Sequence, residues 1–240
     1  MTLRVGTVIA GSEAPTDEGV TGSVFAVIRV DGHLHRAILK RLPVDGVLAE
    51  CFCGMLLRAY GLPCPEPILI RENKTLAFAS LEVNYPSLKR RLGWDDRYPE
   101  HIKEILARAG SAIVCSWPDA PLALAIDEWI ANADRNLGNF LWDGESHAYI
   151  DHERTLERVE HNKNNMVDMA VLADQAGPMQ NGAVTAALML DRASLTAITA
   201  SEDIDFSGLL VYVEARLSGL AAQILKRFPQ PQDLFYSLNS

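Results

Sequence analysis

Trp129-Ile130-Ala131-Asn132-Ala133-Asp134-Arg135-Asn136-Leu137-Gly138-Asn139-Phe140-Leu141-Trp142 is the stretch that decides how this chain is read. An acid, Asp134, and an amide, Asn139, stand five residues apart after an apolar run. A second acid, Asp151, closes the short apolar segment Ala148-Tyr149-Ile150 downstream. Asp and Asn crowd ordinary turns, because their short side chains bond nearby backbone. Two carboxylates and an amide oxygen delivered by neighbouring loops carry more information. Magnesium takes few protein oxygens and fills its other positions with phosphates and water. The trio therefore suits a cation held against a nucleoside triphosphate.

Upstream, the apolar positions Leu122, Leu124, Ile126, Trp129 and Ile130 predict a core helix over Leu122 to Ala133. Its end projects the polar groups from a rigid base. Asp134 is placed to accept or orient a hydroxyl proton. Asn139 offers a neutral oxygen to a metal, and Asp151 a carboxylate bridging that metal to phosphates. Asp127 and Asn132 are read as holding the loop in shape, and His152 as capping the strand end.

Further upstream, Lys40 ends the β-like run Ala37-Ile38-Leu39. A lysine on a strand beside a cleft places a positive charge on phosphates. Glu50 follows ten residues later among Leu48, Phe52 and Met55. A carboxylate among apolar neighbours needs a partner, and a Lys40–Glu50 ion pair satisfies both. Ahead of them, Gly19-Val20-Thr21-Gly22-Ser23 is a candidate phosphate-covering turn, with Gly22 and Ser23 at the nucleotide. It is no Walker A loop, since no Gly-Lys-Ser/Thr follows.

The first third reads as strands: Arg4 to Ala10, Ser23 to Val30, Leu34 to Leu42, then Ile68 to Ile70 and Thr75 to Ser80. Asp31-Gly32 between two β-rich runs signals a hairpin. One helix, Asp45 to Tyr60, interrupts them and ends at Gly61 before Pro63 and Pro65. Beyond about Asn84 helices prevail: His101 to Trp117, Leu122 to Ala133, Asn165 to Ala176, Met179 to Leu190, Ser194 to Ala200 and Phe206 to Phe228. A short hairpin, Phe140 to Trp142 and Ala148 to Asp151, lies among them.

With 240 residues and 48% hydrophobic content, the chain buries a sizeable core. A net charge of −9 and a single basic run, Lys89-Arg90-Arg91, argue against nucleic-acid binding. No apolar run reaches membrane-spanning length, and Met1 to Val5 begin no signal sequence. The four cysteines lack zinc spacing and read as buried thiols of a cytoplasmic protein.

The order Lys40, Glu50, Asp134-Arg135-x-x-x-Asn139, Ile150-Asp151-His152 resembles the HipA-like kinases, atypical bacterial relatives of the protein-kinase-like fold. Tyr60-Gly61-Leu62-Pro63-Cys64-Pro65-Glu66-Pro67 is similar to that family's entry into the strand after its helix, and Trp129 to Arg135 to its catalytic-loop approach. The resemblance spans roughly residues 20 to 155. It implies ATP and magnesium, Asp134 as catalytic base, Asn139 and Asp151 as metal ligands, and Lys40 on the phosphates. It also places Leu81 to Val83, hence Glu82 and Val83, near the adenine. Two departures stand out: Asn136 occupies a position often His in the family, and Asp151-His152-Glu153 replaces Asp-Phe-Gly.

The expected fold is α+β and two-lobed, with a β-rich lobe over residues 1–83 and a helical lobe over 84–240. The expected function is phosphoryl transfer from ATP to a protein Ser or Thr. The rivals are a small-molecule or lipid kinase on the same fold, and a nucleotide-binding pseudokinase or partner-binding module. An antitoxin-like partner is compatible with the first reading. No nucleic acid and no membrane is expected.

Overall fold

The computed structural model describes residues 1–16, 22–72, 75–156, 163–196, 198, 200 and 203–230. Strands β1 (Arg4–Val8), β2 (Ala14–Pro15), β3 (Val24–Val30), β4 (His33–Lys40), β5 (Pro67–Glu72) and β6 (Thr75–Leu81) build one sheet in the order β1-β5-β6-β4-β3-β2. Strand β1 closes it on itself. Its first half pairs in parallel with β5 and its second half antiparallel with β3, and Gly6 pairs with both Ile70 and Val30. The Asp31-Gly32 hairpin forms as the sequence predicts, both residues at positive φ (49° and 81°), as a type I′ turn demands.

Closure needs small side chains inside. The interior cluster is Ala26, Ile28, Val30, Ala37, Leu39, Ile68, Ile70, Ala77 and Ala79, so alanines from three strands line a narrow barrel. Because side chains alternate along a strand, Ala37 and Leu39 point in and Lys40 points out. The outer face, with Leu69 and Phe78, is covered by helix α1 (Val44–Ala59). That core continues through Phe52, Met55 and Leu56 into the helical part of the chain.

The helical part comprises α2 (Leu88–Arg91), α3 (Glu100–Ser116), α4 (Ala120–Trp129), α5 (Asn165–Leu172), α6 (Ala176–Met189), α7 (Ala193–Thr196), α8 (Ser207–Leu217) and α9 (Leu220–Arg227). A hairpin of β7 (Phe140–Trp142) and β8 (His147–Tyr149) stands between α4 and α5. Two expectations are corrected. Helix α4 stops at Trp129, because Ala131 turns left-handed (φ 56°) and the Asn132 amide bonds back to Asp127 O at 2.8 Å. Asp134 thus stands in a loop, not on a helix end. The predicted single helix over Phe206 to Phe228 is two, bent by 69° at Ser218-Gly219, which lets the apolar faces of both pack inward. Among the described residues no single helix is long and apolar enough to cross a membrane.

A Cβ on Gly6 would come within 3.0 Å of Arg29 O and of Val30 Cγ2. Gly6→Ala therefore lowers the unfolding free energy by about 1–3 kcal/mol in urea titrations, the usual cost of overpacking. Gly177→Ala in α6, where nothing lies within 4 Å, leaves stability unchanged or raises it by up to about 1 kcal/mol through helix propensity.

Candidate active site

Lys40 leaves the outer face of β4 with its side chain 12% exposed, and Glu50 on α1 is 2% exposed. The Lys40 Nζ donates to Glu50 Oε1 at 2.6 Å, the ion pair the sequence predicts. It donates equally closely to Asp151 Oδ1, at 2.6 Å, and more distantly to Glu153 Oε2, at 3.4 Å. Burial works against the lysine's charge, but Glu50 and Asp151 outweigh it and raise its pKa well above the ordinary range. Burial likewise opposes ionisation of Glu50. The Lys40 charge and the contacts with His152 overcome that and hold its carboxyl below the usual carboxylate range.

Asp151 follows β8 and takes a left-handed backbone (φ 67°), uncommon for a residue with a side chain and typical of functional loops. One carboxylate oxygen each from Glu50, Asp151 and Glu153 can be chosen so that all lie within 4.8 Å of one another. Three carboxylates around one ammonium leave a formal excess of two negative charges. Hard oxygen donors with surplus negative charge fit a divalent cation such as magnesium. Asn139, in the 3₁₀ turn Leu137–Asn139, is tied to the residue before Asp151, the Ile150 amide donating to Asn139 O at 3.1 Å. Its Nδ2 donates to Asp134 O at 3.2 Å, which fixes the orientation of the amide.

Asp134 is half exposed, with Oδ2 3.5 Å from the Arg154 guanidinium. Its amide donates to Asn132 Oδ1 at 3.2 Å, and Asn132 Nδ2 donates to Asp127 Oδ1 at 2.9 Å, so both loop-holding assignments stand. Asn136 caps the 3₁₀ turn by accepting from the Gly138 amide at 2.8 Å.

The residue that ties this loop together is Arg135, which the sequence reading left without a role. It is 1% exposed and grips Asp127 with two nitrogens, at 2.9 and 2.7 Å. A third nitrogen donates to Ile150 O at 2.7 Å, beside Asp151. The buried pair keeps Arg135 charged: Asp127 more than offsets the cost of burial. The available signal was Asp127 itself, an acid in an apolar helix eight residues before an arginine. Below the loop, Arg216 of α8 donates to Trp129 O and Glu128 O, both at 2.8 Å, and so holds the last turn of α4. Glu153 was also missed.

Gly22 and Ser23 precede β3 at the end that pairs with the Lys40 end of β4, and Glu82 and Val83 follow β6. Gly22 is exposed at φ 73°, and Ser23 pairs with Thr16, their hydroxyls 3.2 Å apart. Gly19, Val20 and Thr21 fall outside the described residues. Glu82 follows β6, its amide donating to Arg36 O at 3.0 Å and its carboxylate 2.7 Å from Arg36 Nε, with half-buried Val83 next.

The sequence matches the family model described as HipA-like kinase over residues 14–204. The chain belongs to the HipA-like kinase family. Among solved structures it is similar to the Helicobacter pylori proinflammatory kinase CtkA, with a TM-score of 0.50 and 12% identity over 94% of this chain and 98% of that one. It is also similar to HipA of the Shewanella oneidensis MR-1 toxin–antitoxin system, solved with HipB and operator DNA. There the TM-score is 0.48 and the identity 12%, over 93% of this chain and 65% of that one. No curated protein matches the sequence. The match to the HipA-like kinases contains Lys40, Glu50, Asp134, Asn139 and Asp151, and leaves α8 and α9 outside it.

Lysine cannot replace Arg135, because one ammonium cannot span Asp127 and Ile150 O together. Arg135→Lys is expected to cost about 3 kcal/mol in chemical unfolding, as breaking a buried ion pair does. The Lys40–Glu50 pair also sets a pH dependence. A depressed carboxyl contributes stability above its unfolded pKa of about 4.3 and loses it as pH falls toward the folded value. A raised lysine contributes below about 10.4 and loses it only as pH rises through its higher folded value. Unfolding free energy should thus drop more steeply from pH 5 to pH 3 in the natural protein than in Glu50→Gln, measured by urea titration at each pH.

Proposed function

We propose that this HipA-like kinase is a two-lobed, ATP- and magnesium-dependent phosphotransferase whose acceptor is a serine or threonine hydroxyl of a protein. In this reading the barrel with α1, residues 1–83, is the smaller lobe and residues 84–240 the larger. The observation that carries it is the Lys40 ammonium shared by Glu50 and Asp151. It brings a phosphate-binding cation and a metal-binding carboxylate into contact from positions more than a hundred residues apart in the chain.

The roles then follow from position. Lys40, oriented by Glu50, binds phosphate oxygens. Asn139 Oδ1 and Asp151 hold magnesium, which when bound neutralises phosphate charge. Asp134, on the solvent side of the loop, accepts or orients the acceptor's hydroxyl proton. Gly22 and Ser23 cover the phosphates, and Glu82 and Val83 border the adenine. The acidic balance of the chain favours a basic protein segment over an anionic acceptor. Cytoplasmic residence and control by an antitoxin-like protein complete the reading.

Incubation with γ-labelled ATP, magnesium and cell lysate should label a protein, and Asp134→Ala should abolish that label while still binding nucleotide. Label confined to small molecules would transfer the reading to a small-molecule kinase, and binding without transfer to a pseudokinase. Asp151→Asn should lose the magnesium-dependent part of the melting shift that ATP produces; an unchanged shift would remove Asp151 from the metal site.

A further inference from the structure

His152 contacts both Glu50 and Arg135. His152 is 1% exposed. Its Nε2 lies 3.2 Å from an Arg135 terminal nitrogen. Guanidinium nitrogens donate and do not accept. Nε2 must therefore present its lone pair, and the ring hydrogen sits on Nδ1. Nδ1 faces Glu50 Oε2 at 3.6 Å. A hydrogen on Nε2 would set N–H against N–H in a space closed to water. The same Glu50 oxygen accepts from the His152 backbone amide at 2.9 Å.

The carbonyl side of His152 is held as well. The Thr155 hydroxyl donates to His152 O at 2.7 Å. With that hydrogen committed, the Cys53 thiol donates to Thr155 Oγ1 at 3.2 Å. Helix α1 thus grips the turn after Asp151 at two places, Glu50 and Cys53, while the loop grips it through Arg135.

We propose that His152 is a positioning residue: its ring Nε2 accepts from Arg135 while its backbone amide donates to Glu50, so that one residue holds the Lys40 clamp at a fixed spacing from the Asp134–Asn139 loop. It touches neither phosphate nor acceptor; it acts through Glu50 and Arg135. The functional part of this inference rests on the phosphotransferase reading above.

Two measurements separate the inference from that reading. The first needs no nucleotide. In the ligand-free protein, the ¹⁵N shifts of His152 should show a protonated Nδ1 and a bare Nε2. A protonated Nε2 would overturn the inference whatever the protein catalyses. The second compares His152→Phe with His152→Gln. Phe keeps the ring's bulk and the backbone bond to Glu50 but loses the acceptor toward Arg135; Gln restores it. His152→Phe should weaken binding of a non-hydrolysable ATP analogue with magnesium by about 10- to 100-fold, as loss of an orienting partner does. His152→Gln should recover most of that loss. In labelled transfer, His152→Phe should raise KM for ATP and lower kcat together. A packing role predicts the opposite order, Phe tolerated better than Gln, and that order would sink the proposal. Should His152→Phe fail to fold, the Gln variant's affinity and the ring shifts still decide. If the natural protein binds no nucleotide, the phosphotransferase reading fails and the ring shifts alone judge His152.

Discussion

An ammonium group removed from water needs anions, and the arrangement around Lys40 follows from that requirement. Leu39 faces the barrel interior, so Lys40 emerges on the face that α1 covers. There a charge is tolerable only beside Glu50, which α1 presents from its apolar side. Glu50 alone would neutralise it. The structure adds Asp151 and Glu153 from a loop more than a hundred positions along the chain, and the balance turns negative. That surplus suits a divalent cation, which would offset what the lysine does not.

The second constraint is the buried Arg135–Asp127 pair. Breaking such a pair strands a charge in a low-dielectric interior, so the loop between Ile130 and Asn139 has little freedom once it forms. Arg135 reaches the Ile150 carbonyl and the His152 ring from the same guanidinium, which makes the residues on both sides of Asp151 part of that framework. Arg216 carries the framework into α8, a helix beyond the stretch that matches the family model. The end of α4 is thus held from one side by the loop it feeds and from the other by the C-terminal helices. Backbone strain at Asp151 is affordable in such surroundings, since many neighbours over-determine its position.

Much of this was legible beforehand. The Asp31-Gly32 turn, α1 with its Gly61 stop and the β7–β8 hairpin carry local signals that propensity and turn chemistry decode. Lys40 with Glu50 was legible because a lone carboxylate in an apolar helix demands a partner. Barrel closure was not. It depends on β1 pairing with two distant strands, and the sign of it, glycine at position 6 and alanines facing inward, is no stronger than chance in a single sequence. The break at Gly219 was hidden because the apolar pattern continues across it. Arg135 and Glu153 were hidden because a charge beside a motif residue gives no hint of which way it points.

By itself the sequence determined the kinds of element, their order, and the residue types that can handle phosphate and magnesium. Those depend on periodicity, capping and side-chain chemistry, which act over a few residues. Only the tertiary structure decided that Asp151 meets Lys40, that Glu153 joins them, and that His152 contacts both Glu50 and Arg135. The contacts of Lys40 and Glu50 with residues 151–153 cross more than a hundred positions of chain, and burial, not local preference, selects which charges are brought together.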